Sequence, residues 1–208
     1  MAEYESERML ADLHEHVRSR CYGKYRGVVT DVDDSETMGR IRAKVPEVYG
    51  PDQESPWALP ASGFAGPSHG FVMIPEVNDG VWIEFEAGDI SRPIWTGGWW
   101  GSGELPDAAG TKKRAIVTTA GHRFVLNDDD KEIQLLHSGG AELKMTDDDI
   151  KLTKGNAETT MTGDQITLKL GSSEITITQT DITLKAGSGQ IKISASGVDV
   201  NNGALTVR

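Results

Sequence analysis

Residues 150–200 read IKLTKGNAETTMTGDQITLKLGSSEITITQTDITLKAGSGQIKISASGVDV, and one spacing runs through them. Ile150, Ile166, Ile182 and Val198 recur every sixteen residues, with Leu152, Leu168, Leu184 and Val200 two positions behind. A second arm keeps the same period: Met145, Met161, Ile177 and Ile193, with Leu143, Thr159, Ile175, Ile191 and Val207 two positions earlier in phase. Apolar residues two apart share one face of an extended strand, and Thr, Lys, Glu and Ser fill the other. Gly155, Gly171, Gly187 and Gly203 repeat in one phase, which marks a turn that needs an open backbone conformation. Each unit is therefore two short strands and a turn.

One chain of such units buries its apolar row only if something covers it, and its strand edges are open to pairing. A single-chain solenoid would have to enclose a core with a coil of two short arms, which leaves little interior. Several chains wrapped about a common axis solve the problem better, giving a homotrimeric needle. Ile166, Leu168, Ile175, Ile177, Ile182, Leu184, Ile191 and Ile193 are then expected to line the trimer axis, with strands pairing between chains. An ordinary antiparallel meander is the third possibility, and nothing in a meander obliges period and turn glycine to keep step.

The rest of the composition agrees with an all-β chain. It has 208 residues, 24 of them glycine, and 37% hydrophobic content; helical periodicity is absent after the first twenty positions. A net charge of −11 argues against a general grip on nucleic acid or anionic membrane, because phosphate binding draws on clustered Lys and Arg. No signal-peptide or transmembrane stretch is evident, so the expectation is assembly in the cytoplasm. A single cysteine, Cys21, excludes an internal disulfide and a Cys-rich zinc site.

Three domains are expected: a helical segment over 1–21, a β-barrel over 22–104, and a linker with the repeat over 105–208. In the first, Met9, Leu10, Leu13 and Val17 make one apolar stripe of a short helix spanning 3–20, which must dock to be stable. His14 and His16 flank Glu15, but two residues apart on a helix they point to different sides, so a solvated face is the better reading. In the second, Tyr25–Val32 and Met38–Pro46 form a strand pair. Ser55–Ala61 and Gly70–Ile74 give two further strands. Asn78-Asp79-Gly80 is a turn, after which Val81, Ile83 and Phe85 share one face. With Arg92–Gly98 this makes about five strands in a stretch that suits a small barrel of the OB type.

These residues carry a resemblance. Tyr25–Pro46 with Gly27, Val29, Gly39, Arg40 and Val45, then Trp57-Ala58-Leu59-Pro60, Gly80–Phe85, Gly88-Asp89 and Arg92–Gly97, resembles the OB domain of central spike proteins from contractile injection machines. That family includes the protein V class of phage baseplates and the VgrG proteins of type VI secretion. Ala115–Asp128 with Glu132-Ile133 resembles the stretch with which such proteins enter their spike β-helix.

The resemblance implies an N-terminal OB barrel followed by an intertwined triple-stranded β-helix, as a membrane-puncturing needle that joins a baseplate hub to a PAAR-type tip. It implies a structural protein and no enzyme, with the homotrimer, the hub, the tip and, on firing, the target cell envelope as partners. The particle would be a virion, a tailocin or an extracellular injection device. Some phage spikes insert a lysozyme domain between barrel and needle, whereas here only Gly101–Arg114 joins them. VgrG proteins carry a large hub domain ahead of the barrel, and about twenty residues stand there in this chain, so a separate hub protein is expected. Some relatives close their own point with a His-x-His metal site; residues 194–208 contain no histidine, so Leu205, Val207 and Arg208 are expected to meet a cap as a blunt strand in register with the repeat. Gly39, Trp57, Gly80 and Pro93 are assigned to holding the barrel's shape.

No nucleophile, base and orienting group stand in a recognisable arrangement among His14, His16, His69, His122 and His137. His122, after Gly121, reads as turn packing. Asp128–Asp130 and Asp147–Asp149 lack the glycine turn and distal acid of a calcium loop and read as solvated turns. No metal, cofactor or catalytic residue is therefore assigned. The main rival is an OB-fold nucleic-acid- or ligand-binding protein with a solenoid tail, because Trp57, Trp82, Trp95, Trp99 and Trp100 could stack on bases. Against it, Arg26, Arg40, Arg42 and Lys44 are interleaved with Asp31, Asp33, Asp34 and Glu36, and no nucleic-acid partner is expected.

Overall fold

Alternation in β6 (Gly80–Phe85) makes it the central strand of the first unit: Val81 and Ile83 are fully buried and Phe85 nearly so, while Trp82 and Glu84 point the other way. β1 (Tyr25–Asp31) pairs antiparallel along one edge of β6 and β7 (Pro93–Gly98) along the other. β2 (Arg42–Lys44) extends the sheet beyond β1, and β3 (Leu59–Pro60) adds in parallel beyond β7, giving the order β2-β1-β6-β7-β3. Single bridges from Lys44 to Glu54 and from Ile41 to Ala58 return the chain ahead of β3 to β2. The sheet thus curls around a core of Val29, Ile41, Ala43, Val45, Ala58, Val81, Ile83 and Phe85. The structure, a computed structural model, describes residues 8–11, 13–15, 17 and 20–207.

Three of the four residues expected to shape the barrel have visible roles in that curl. A Cβ on Gly80 would lie 2.6 Å from the Trp99 indole, and that indole donates through Nε1 to the Val81 carbonyl. Pro93 is fully buried at the start of β7. Gly39 offers its carbonyl to Trp95 Nε1 at 3.1 Å.

Two expected strands are corrected. Of Ser55–Ala61 only Leu59–Pro60 is strand, and Gly70–Ile74 is not a strand of the sheet at all. His69–Gly70 (β5) instead pairs with Ala65–Gly66 (β4) in a two-stranded ribbon. Phe71, Val72, Met73 and Ile74 follow without regular structure and are exposed. They are four apolar residues in succession with no alternation to choose a face, and Pro75 stops them from extending.

In the N-terminal segment the described positions 8–11, 13–15 and 17 are helical, and Met9, Leu10, Leu13 and Val17 are all exposed. His16 lies outside the described residues.

The second unit, from Leu105 onward, is one antiparallel sheet of twelve strands in sequence order. They are β8 (Lys113–Val117), β9 (Arg123–Asn127), β10 (Glu132–Leu136), β11 (Ala141–Met145), β12 (Asp149–Lys154), β13 (Ala157–Thr162), β14 (Gln165–Leu170), β15 (Ser173–Thr178), β16 (Asp181–Ala186), β17 (Gly189–Ser194), β18 (Gly197–Val200) and β19 (Leu205–Val207). The path of one protomer is therefore a meander, and each inner strand has its own chain on both edges. Pairing between successive strands is corrected from interchain to intrachain: hairpin turns this short join neighbours directly and leave no gap for a foreign strand.

Period and glycine keep step because the turns alternate between two fixed kinds. On one side, Lys154 faces Ala157, Leu170 faces Ser173 and Ala186 faces Gly189 across two-residue loops. Gly155, Gly171 and Gly187 stand first in those loops at φ +57° to +58°, a left-handed conformation that favours glycine. On the other side a hydroxyl shapes the turn. Thr146, Thr162 and Thr178, again sixteen apart, each accept two backbone N–H bonds from the residues two and three ahead, such as Asp181 N to Thr178 Oγ1 at 3.1 Å.

The last turn departs from the repeat. Val200 faces Leu205, so four residues lie between β18 and β19, with Asn201 and Asn202 at positive φ. Two extra residues move the strand along by two without changing its face. Val207, expected in phase with Ile191, is therefore paired in register with Val198, and Leu205 takes the place opposite Val200. Arg208 lies outside the described residues.

Candidate functional site

Cross-strand register gathers the repeat into two continuous columns on one face. The first runs Ile116, Phe124, Leu135, Leu143, Leu152, Thr159, Leu168, Ile175, Leu184, Ile191, Val200, Leu205, each directly opposite the next. The second runs from Leu126 and Ile133 through Met145, Ile150, Met161, Ile166, Ile177, Ile182 and Ile193 to Val198. All eight residues expected to form a common apolar surface stand in these columns.

The face they make is open. Leu168, Ile175, Ile177, Ile182, Leu184, Ile191 and Ile193 are all exposed, each leaving between 37% and 43% of its surface to solvent; Ile166 is half-buried. Leu205 is 60% exposed. Among the described residues of this unit, Val125 is the only buried large hydrophobic side chain, while the core cluster lies entirely in the first unit. Covering what each Ile or Leu leaves open is worth about 1 kcal/mol per side chain. Among the described residues of this unit eighteen large apolar side chains are exposed, far more than scattered surface hydrophobics account for.

The opposite face is polar and paired. Thr160, Thr167, Thr176 and Thr183 form a threonine column, with Thr160 opposite Thr167 and Thr176 opposite Thr183. Beside it charges alternate across the ladder, Glu158 opposite Lys169, Lys169 opposite Glu174 and Glu174 opposite Lys185. Lys192 reaches Asp181 at 3.0 Å, and Lys144 lies 3.1 Å from Glu132. One face thus seeks water and the other seeks cover.

The acidic turns are paired internally. Lys112 meets Asp129, Arg114 meets Asp128, and Lys131 meets Asp147. Asp149 is held below the ordinary carboxylate range by hydrogen bonds from Lys151 and then Thr146. His122 and His137 lie with ring centroids 4.5 Å apart, and the Nδ1 of each accepts a backbone N–H, from Ser138 and Gly139 respectively. Both serve the turns they sit in. Among the described residues no group of three or more His, Cys, Asp or Glu could hold a metal ion, and no helix is long and apolar enough to cross a membrane.

Three tryptophans of the first unit lie under its own guanidinium groups. Arg26 lies over both Trp82 and Trp99, and Arg40 and Arg42 lie over Trp57. Arg40 is fixed in turn by Asp34, whose Oδ1 accepts from Arg40 Nε at 2.9 Å and from Nη2 at 2.6 Å. The other oxygen of Asp34 accepts the Met38 and Arg40 backbone N–H groups. The Arg40 bonds, then the backbone ones, hold the Asp34 carboxyl well below its usual range.

Comparison with known proteins bears on the open face directly. Residues 25–100 match the type VI secretion system/phage-baseplate injector OB domain, and residues 113–172 and 165–206 match the phage baseplate V C-terminal trimerisation domain. The chain belongs to the baseplate V/VgrG spike family. It is 34% identical over 90 residues to the type VI secretion system spike protein VgrG4b of Pseudomonas aeruginosa, a match covering 40% of this chain and 11% of that protein. It is 39% identical over 62 residues to the actin cross-linking toxin VgrG1 of Vibrio cholerae, covering 28% of this chain and 6% of that protein. The chain thus spans about a tenth or less of the length of these curated relatives.

Family membership gives this chain an injector OB domain and makes the sheet with the open face its trimerisation domain. Neither matched domain is an enzyme family. The period and the apolar alternation could be read from the sequence; the threonine turns could not be told from ordinary polar loops, although their spacing of sixteen was there to find.

Proposed function

We propose that the protein is the homotrimeric central spike of a contractile tail or injection particle. Three copies would pack their open faces about one axis, with Ile166, Leu168, Ile175, Ile177, Ile182, Leu184, Ile191 and Ile193 as the shared core. The observation that carries this is the pair of apolar columns, left uncovered within one protomer, in the stretch that matches a trimerisation domain. Strands pair within each chain, so the needle's stiffness comes from three hydrogen-bonded ladders clamped by a continuous apolar core.

In this reading the first unit engages a baseplate hub and the needle end takes a PAAR-type tip. Leu205 of β19 supports the second part, since it is 60% exposed and an open apolar side chain there invites a cover. Leu205, Val207 and Arg208 would form the cap surface. Force from sheath contraction, supplied by other proteins, would drive the tipped spike into the target envelope.

The deciding experiment is the native mass of the full chain beside one truncated after Leu105. A full-length trimer that becomes monomeric on truncation supports the spike; a monomeric full-length chain overturns it. For the tip, a PAAR-type protein encoded beside the spike should bind the trimer and fail to bind a form ending at Ala195. Equal behaviour of the two forms removes the cap assignment.

A further inference from the structure

One polar residue interrupts the first column. Across the twelve opposed positions from Ile116 to Leu205, Thr159 is the only side chain that is not apolar, with Leu152 facing it on one side and Leu168 on the other. One repeat away in either direction the equivalent positions are Leu143 and Ile175. No hydrogen bond described within the protomer uses the Thr159 hydroxyl, although Thr160 donates to Glu158 and Thr162 to the Gln165 carbonyl. Arg114 stands opposite Leu126, ahead of the second column's first member, on the first strand and ion-paired with Asp128. Thr159 is the interior break.

We propose that the three Thr159 hydroxyls meet in one polar layer on the trimer axis and that this layer fixes the axial register of the three chains. The inference rests on the trimer reading above. A sixteen-residue repeat makes register ambiguous: sliding one chain by a repeat, two strands or about 10 Å at ~4.8 Å per strand, sets Ile against Ile and Leu against Leu over most of the needle. Apolar contact is non-directional and does not detect the slip. A hydroxyl does. In register, the three stand at one level and partner one another directly or through one shared water. Slipped, the hydroxyl of the displaced chain faces Leu143 or Ile175 and is buried unpaired, which is the costly case. A single buried polar position that sets register at some expense of stability is an established device where helices repeat, and a repeating sheet faces the same ambiguity.

The test places one nitroxide label on the polar face of the sheet, at Lys169→Cys in a Cys21→Ser background, and measures label-to-label distances in full-length trimers refolded from denaturant. With Thr159 in place, one narrow distance is expected. Thr159→Val, which keeps the shape and removes the hydroxyl, should add a second, longer distance from chains offset by a repeat, while the melting temperature stays equal or rises. Thr159→Ser should restore the single distance. One narrow distance in Thr159→Val overturns the proposal and leaves the trimer intact. A monomeric mass for the Thr159 protein instead overturns the trimer reading, and this one with it.

Discussion

Ile177 stands directly opposite Ile182, and both leave 37% of their surface open in the single protomer. Two β-branched side chains paired across a ladder stabilise the sheet they share, yet here they do so while presenting the same bare face. In the trimer each would gain its remaining cover from another chain.

Ile177→Asp should therefore abolish the trimer, because three carboxylates would be buried near one axis with no cationic partner. Native mass and heat stability of the full chain read the effect. Ile177→Val, which removes one methylene from each chain, should stay trimeric and lose about 1 kcal/mol per chain. A heat-stable Ile177→Asp trimer would show that this face points outward.

Acid should loosen the first unit through Asp34. Its side chain is 5% exposed, and the bonds from Arg40 lower its carboxyl pKa in the folded state. A carboxyl held low contributes stability that is fully present above its unfolded pKa of about 3.9 and is lost as pH falls through the folded value. Asp34→Asn should lower the melting temperature at neutral pH and flatten its fall in acid. Arg40→Lys, which cannot make the paired guanidinium bonds, should reproduce most of the loss. Melting followed by tryptophan fluorescence checks both, since Arg40 lies over Trp57.

Gly80→Ala should destabilise the curled sheet by about 1–3 kcal/mol, the usual cost of overpacking. The added methyl would lie 2.6 Å from the Trp99 indole, and that ring is tied to the Val81 carbonyl and covered by Arg26. Trp99→Leu in the same chain should recover part of the loss. Unchanged melting of Gly80→Ala would mean that Trp99 moves aside freely.

Turn chemistry is tested at Thr178. Its Oγ1 accepts the Thr180 and Asp181 N–H groups, so Thr178→Ala should cost about 1 kcal/mol per chain while Thr178→Ser stays near native. Hydrogen exchange at Thr180 and Asp181 reports the site: faster exchange is expected in the alanine variant alone.

Much of this protein was legible in its residues. Alternation placed Val81, Ile83 and Phe85 in the core of the first unit, and the sixteen-residue period placed the column residues from Leu143 to Val200 on one face, because side-chain direction along a strand depends only on local spacing. The resemblance carried by Tyr25–Pro46 and Ala115–Asp128 gave the family. What the sequence left open was decided by groups distant in the chain or by turn length. Pairing within one chain followed from two-residue loops, and four residues at 201–204 moved Val207 opposite Val198. Phe71–Ile74 looked like a strand by composition, but it has no alternation to choose a face and Pro75 follows it, and it stays irregular. The Asp34–Arg40–Trp57 stack and the Gly80–Trp99 fit depend on where the curl brings strands together. Periodicity states which way a side chain faces; only the folded chain states what it meets there.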